Sequence, residues 1–355
     1  MRNVHIRACL AFAWMLLAML LASGVQAQDR YRVRHLVSSD GAGNTLVNPE
    51  LIDPWGLAFD PYGFAYVAAP GSRKVLRLDG MGNPQAPSIS TWVSGLGETA
   101  PVGIVFNGSA NFATRNADGV TGPSRMLITT EDGGLHGWNP DVDPGHATRV
   151  YKSNAFPILM GAALSGCCGR QLLYAAPPTW RTIVFETNYR RNPMPEGAFY
   201  DPQIAQDFYG PYNVQAIAGN LYVAYAQRTL SRRIGPGFGS VVVFSPTGVL
   251  IRRIATGGAL SSPWGLAMTP ADFGAYSNKL LVGNTGDGRI NVYDPTTGQH
   301  LGALQDANGQ TIVIDGLHAL QFGNGVANQP VNTLFFTAGP ANGARGVYGR
   351  IDLIR

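Results

Sequence analysis

The sequence has 355 residues, 14% of them charged and 45% hydrophobic, with a formal net charge of +4. That balance excludes a nucleic-acid surface, because the chain has only three lysines, Lys74, Lys152 and Lys279, and the pairs Arg232-Arg233 and Arg252-Arg253 stand apart. Low charge with ordinary hydrophobicity also excludes disorder, while 45 glycines and 24 prolines suit many tight turns between short strands.

The first predicted element is a leader. Arg2, His5 and Arg7 precede an apolar stretch from Ala8 to Ala22, and Val25-Gln26-Ala27 puts small residues at a cleavage site. This pattern predicts a signal peptide over residues 1–27, a mature chain from about Gln28, and export to the periplasm or the cell exterior. The apolar stretch is shorter than the ~20 residues a membrane helix needs. No later stretch is long and apolar enough to span a bilayer. Loss of Arg2 and Arg7 with the leader lowers the formal charge from +4 to +2.

A strand-like run, Tyr31–Val37, comes next, followed by a repeat. Pro54-Trp55-Gly56-Leu57-Ala58 returns as Pro263-Trp264-Gly265-Leu266-Ala267. Weaker copies begin at Pro101, Leu159, Pro211 and Ile314. Aligned at Trp55, Val102, Met160, Tyr212, Trp264 and Asp315, they are spaced by 47, 58, 52, 52 and 51 residues. A unit of that size matches one four-stranded propeller blade. In the first repeat, strands are predicted over Phe64–Ala68 and Lys74–Leu78, and in the second over Arg125–Thr129 and Leu135–Trp138. In the fifth they are predicted over Trp264–Met268, Lys279–Gly283, Arg289–Tyr293 and His300–Leu304.

From Asp315 only 41 residues remain, which is short of a blade. Pairing Tyr31–Val37 with the last repeat, 314–355, completes it and removes an exposed sheet edge. The expected fold is therefore all-β: a single six-bladed β-propeller over 28–355, with four-stranded blades and the N-terminal strand closing the last.

Cys167 and Cys168 are adjacent in Gly166-Cys167-Cys168-Gly169. Neighbouring Cα atoms lie ~3.8 Å apart, below the usual ~4.4–6.8 Å of a disulfide. Two readings stay open: two thiols in a turn, or a strained vicinal disulfide.

Blade connectivity directs the search for a site. The segments leading into the inner strands and the turns between second and third strands share one face of the disc. Asp53, Asn213 and Asp315 belong to the first set, and Glu131, Asp132, Asn284 and Asp287 to the second. On the inner strands, the position after Leu57 reads Ala58, Val105, Ala163, Gln215, Ala267 and His318. Its two polar members face a narrow channel and need partners or water. The candidate ligand-binding residues are Asp53, Trp55, Gln215, Glu131, Asp132, Trp264 and Asp287. Asn213, Asp315 and His318 are candidate ligands for Ca²⁺ or another divalent ion. The competing readings are a water-lined channel, simple hairpin chemistry at Asp132-Gly133 and Asp287-Gly288, and core packing for both tryptophans.

Several long motifs carry a resemblance. They are Asp53-Pro54-Trp55-Gly56-Leu57-Ala58, Thr130-Glu131-Asp132-Gly133, Gly137-Trp138-Asn139-Pro140, Gly286-Asp287-Gly288-Arg289-Ile290-Asn291 and Thr333-Leu334-Phe335-Phe336-Thr337-Ala338-Gly339-Pro340. Together they resemble an uncharacterised family of exported bacterial proteins, and more distantly NHL-repeat and gluconolactonase-like propellers. The close resemblance implies the fold and export, and no reaction. The distant one implies a channel metal that polarises a carbonyl and activates water, with Asp53 the nearest counterpart of its acidic ligand. The expected function is an exported binding or scaffold protein holding a small molecule, glycan or protein on one disc face. The alternative is a metal-dependent, lactonase-like hydrolase or lyase at the channel mouth. A third is support of a partner in an assembly.

Overall fold

The computed structural model describes residues 29–155, 158–178, 181–227 and 234–354. The expected signal peptide and the Arg232-Arg233 pair lie outside the described residues.

The chain forms a six-bladed β-propeller. The first blade is Leu57–Phe59, Ala65–Ala69, Lys74–Leu78 and Pro84–Ser90, each strand pairing with the next. The second is Pro101–Phe106, Met126–Thr130, Gly134–Trp138 and Thr148–Lys152. The fourth is Tyr209–Ile217, Asn220–Gln227, Ser240–Phe244 and Leu250–Thr256. The fifth is Pro263–Met268, Leu280–Asn284, Ile290–Tyr293 and His300–Ala303. Predicted and observed strands differ by a residue or so at their ends.

The third blade departs from the expected four strands. Ala162–Cys167, Arg170–Ala175 and Ile183–Phe185 form its sheet, and beyond them Phe185 makes an isolated bridge to Arg191. Pro193 and Pro195 follow that bridge. Proline has no N–H to continue a ladder, which ends the fourth strand before it begins.

The sixth blade is closed as expected. Leu317–Phe322, Leu334–Ala338 and Val347–Ile354 are completed by Arg30–Ser38, which runs antiparallel from Arg30 opposite Ile354 to Ser38 opposite Val347. Tyr31 is fully buried there, its ring 4.9 Å from that of Phe273 and its hydroxyl donating to Phe273 O at 3.2 Å. Each inner strand touches the next around the axis, and the sixth touches the first.

Propeller strands are buried on both faces, so they read as apolar runs rather than alternations. Their two-residue period instead divides the side chains between neighbouring interfaces. Ala65, Val67 and Ala69 pack toward the sixth blade, while Tyr66 and Ala68 pack toward the second. Six such clusters lie between successive blades, and a seventh lies at the hub.

Candidate functional site

The repeated motif builds the hub. Trp55, Val102, Met160, Tyr212 and Trp264, aligned by sequence alone, meet in one buried cluster on the axis. Trp55 stands edge-on to Tyr212 at 5.7 Å and to Trp264 at 4.9 Å, and Tyr212 meets Trp264 at 5.1 Å. The glycine that follows Trp55, Val102, Met160 and Trp264 exists for closeness. A Cβ on Gly56 would lie 2.4 Å from Val102 O, and one on Gly161 would lie 1.8 Å from Asn213 Oδ1. Only a hydrogen fits where adjoining inner strands approach this tightly.

The sixth member of the hub is His318, not Asp315. Its ring stacks on Trp55 at 3.7 Å and 18°, and its Nδ1 lies 2.9 Å from Pro54 O. Asp315-Gly316-Leu317 imitates the Trp-Gly-Leu pattern, but Asp315 and Gly316 lie in the turn before the strand that Leu317 begins. Gly316 has φ +68°, and a Cβ on it would fall 2.2 Å from Gly339 O. The sixth repeat therefore shifts by three residues, and the blade-six counterpart of Gln215 becomes Gln321.

A relay of bonds ties the hub carbonyls to the preceding blades. Gly56 N donates to Val102 O at 2.9 Å, and Gly161 N to Tyr212 O at 3.3 Å. Asn213 Nδ2 donates to Trp264 O at 2.9 Å, and Thr337 Oγ1 to Trp55 O at 2.6 Å. Thr129 Oγ1 donates to Met160 O. These rigid links fix the aromatic plug across the channel.

The nominated acidic residues lie around the plugged face. Asp53 Oδ2 accepts from Trp55 Nε1 at 3.0 Å, so it props the plug. Glu131 stands near it; desolvation and the Asp53 carboxylate both push the Glu131 pKa up. Burial acts to raise the Asp132 pKa, but Thr130, Arg149, Lys152 and the Gly134 N–H together hold it below the usual carboxylate range. Asp287 Oδ1 accepts from Arg289 N at 3.1 Å. The last two arrangements are hairpin chemistry.

The three candidate metal ligands have separate partners. The Asn213 amide donates to Trp264 O and accepts from Val214 N at 2.9 Å. Asp315 is exposed and accepts from Ala341 N at 3.0 Å. His318 is held as described. Among the described residues, no group of three or more His, Cys, Asp or Glu side chains is placed to hold a metal ion. This donor set does not fit a lactonase-like ion.

The space in the channel lies beyond the plug, toward the opposite face. A cavity of about 250 Å³, open to solvent, is lined by the later residues of the inner strands, including Leu57, Phe59, Ile104, Phe106, Ala162 and Leu164. A narrower extension reaches back to Asn213 and Trp264. Gln215 and Gln321 line both, and among the described residues no charged side chain lines either. Both glutamines are half-buried. Sequence reasoning found Gln215 as a polar break in an apolar column. It missed Gln321 because the sixth repeat was aligned three residues early.

No protein-family model matches the chain. It is 32% identical to the uncharacterised protein R648 of Acanthamoeba polyphaga mimivirus, over 92% of this chain and 81% of that one. It is 30% identical to the uncharacterised protein L690 of the same virus, over 83% of this chain and 79% of that one. These relatives are uncharacterised, as the sequence resemblance implies, but viral where it implies bacterial ones. Among solved structures, the PQQ-bound aldose sugar dehydrogenase of Streptomyces coelicolor superposes with a TM-score of 0.56, covering 92% of this chain and 99% of that chain. At 13% identity the likeness is one of fold alone. Among the described residues, no helix is long and apolar enough to cross a membrane.

Proposed function

The chain belongs to the family of the uncharacterised mimivirus proteins R648 and L690, and we propose that it is a binding protein whose channel takes a small uncharged molecule. The observation that carries this reading is the cavity bounded by the aromatic plug and lined by Gln215 and Gln321. Apolar walls with few oriented polar groups are the usual makeup of a small-molecule site. Each amide both donates and accepts, so the pair suits hydroxyl, amide or ester groups on an apolar body. A charged ligand would meet no counter-charge in the cavity wall. The proposal extends to an exported protein, on the strength of the basic and apolar leader, Arg2 to Ala27.

The test is a thermal-shift screen of the mature chain with millimolar neutral probes: lactones, short diols, monosaccharides and aliphatic amides. One class should raise the melting temperature of the wild type and lose that effect in Gln215→Leu with Gln321→Leu. No shift with any neutral probe, or a shift that survives the double substitution, defeats the reading.

A further inference from the structure

We propose that Cys167 and Cys168 form a thiol–disulfide modification site on the rim of the open channel face, accepting oxidation from low-molecular-weight disulfides. The two residues lie at the hairpin joining the inner strand Ala162–Cys167 to Arg170–Ala175, with Cys167 paired to Arg170. Cys168 has φ +55° and Gly169 φ +75°, the two left-handed residues of a tight hairpin turn. This turn brings the sulfurs to 2.8 Å from one another as free thiols. Cys168 is exposed, whereas Cys167 packs against the core between blades three and four. Leu164, three residues earlier on the same strand, lines the cavity.

Access and proximity divide the roles. The exposed Cys168, as thiolate, attacks one sulfur of oxidised glutathione and releases one glutathione thiolate, which leaves a mixed disulfide on Cys168. Cys167 gives up its proton to solvent and attacks Cys168 Sγ, and the second glutathione thiolate leaves. The protein loses two hydrogens and two electrons, and the glutathione disulfide is reduced to two thiols. The resulting ring spans adjacent residues, whose Cα atoms are closer than the usual disulfide range. Strained, exposed disulfides are the labile ones, so the step is expected to reverse with dithiothreitol. The shared hydrogen bond with Cys168, with burial and the neighbouring thiol adding to it, holds the Cys167 thiol pKa up. That favours Cys167 as the second, resolving thiol.

The experiment treats the reduced mature chain with oxidised glutathione, blocks remaining thiols with iodoacetamide under denaturing conditions, and weighs the peptide ending at Arg170. The expected wild-type peptide is two hydrogens lighter than the reduced one, unalkylated, and without glutathione. Cys167→Ser should instead retain one glutathione on Cys168. Alkylation of both wild-type cysteines, glutathione persisting on the wild-type peptide, or disulfide-linked dimers would overturn the proposal.

Discussion

The imidazole of His318 lies flat on the indole of Trp55, ring centroids 3.7 Å apart, so the first and last repeats meet face to face on the axis. Trp55 is 8% exposed and also touches Tyr212 and Trp264. Trp55→Ala should cost about 3–5 kcal/mol, as large-to-small changes in a core do. A double-mutant cycle with His318→Ala should return a coupling of about 0.5–1.5 kcal/mol, measured by urea denaturation. Additive losses would mean that the stack carries no energy of its own.

Gly161 is a sharper probe of the hub. An added Cβ would displace Asn213 Oδ1 and with it the amide that holds Trp264 O. Gly161→Ala should destabilise by about 1–3 kcal/mol through overpacking. Gly145→Ala, where a new Cβ would come no nearer than 3.8 Å to Asp143 Oδ1, should be close to neutral. Equal midpoints for the two variants would contradict the close-approach reading of the repeated glycine.

The closing strand rests on Tyr31, which is wholly buried against Phe273. Tyr31→Ala should cost about 3–5 kcal/mol. Deletion of residues 29–38 should do more than lower stability, because it bares Val347–Ile354 as a strand edge. Light scattering should then report concentration-dependent association. A monomeric truncated chain with an unchanged melting point would show that the strand is dispensable.

Acid should act through His136. This side chain is fully buried, and burial lowers its pKa to about 4 from 6.5. The unfolded chain therefore takes up a proton as the pH falls through about 6.5, while the folded chain resists until about 4. Stability from the neutral form is complete above 6.5 and declines between 6.5 and 4, by on the order of 3 kcal/mol in all. His136→Gln should flatten that part of the pH profile, and comparison with the wild type separates it from His35, whose pKa burial also lowers. Parallel profiles would rule out His136 as the source.

The architecture was largely legible because it is periodic. Five of six hub residues could be aligned from one short phrase, since four of them, all but Tyr212, are followed by a glycine under the same steric demand. The sixth could not, because Asp315-Gly316-Leu317 satisfies a different demand, a left-handed turn against Gly339 O, with similar letters. The missing strand of blade three was foreshadowed by Pro193 and Pro195, a local signal that the repeat overrode. The cavity was harder to read. Which end of a channel is closed depends on how side chains from six distant segments fill it, and Trp55 with Trp264 could equally have lined a mouth. Gln321 became comparable with Gln215 only after the register of the last blade was known.

Arg30 sits opposite Ile354, so sheet neighbours at this seam are separated by all the chain that builds the other five blades. During synthesis Arg30–Ser38 emerges well before Val347–Ile354, its mate. For that interval Arg30–Ser38 has no strand to pair with, and the growing disc stays an open arc. Removal of Val347–Ile354 alone would leave most other strand pairings in place and the ring unlatched. Completion of the disc thus turns on a single strand, Val347–Ile354.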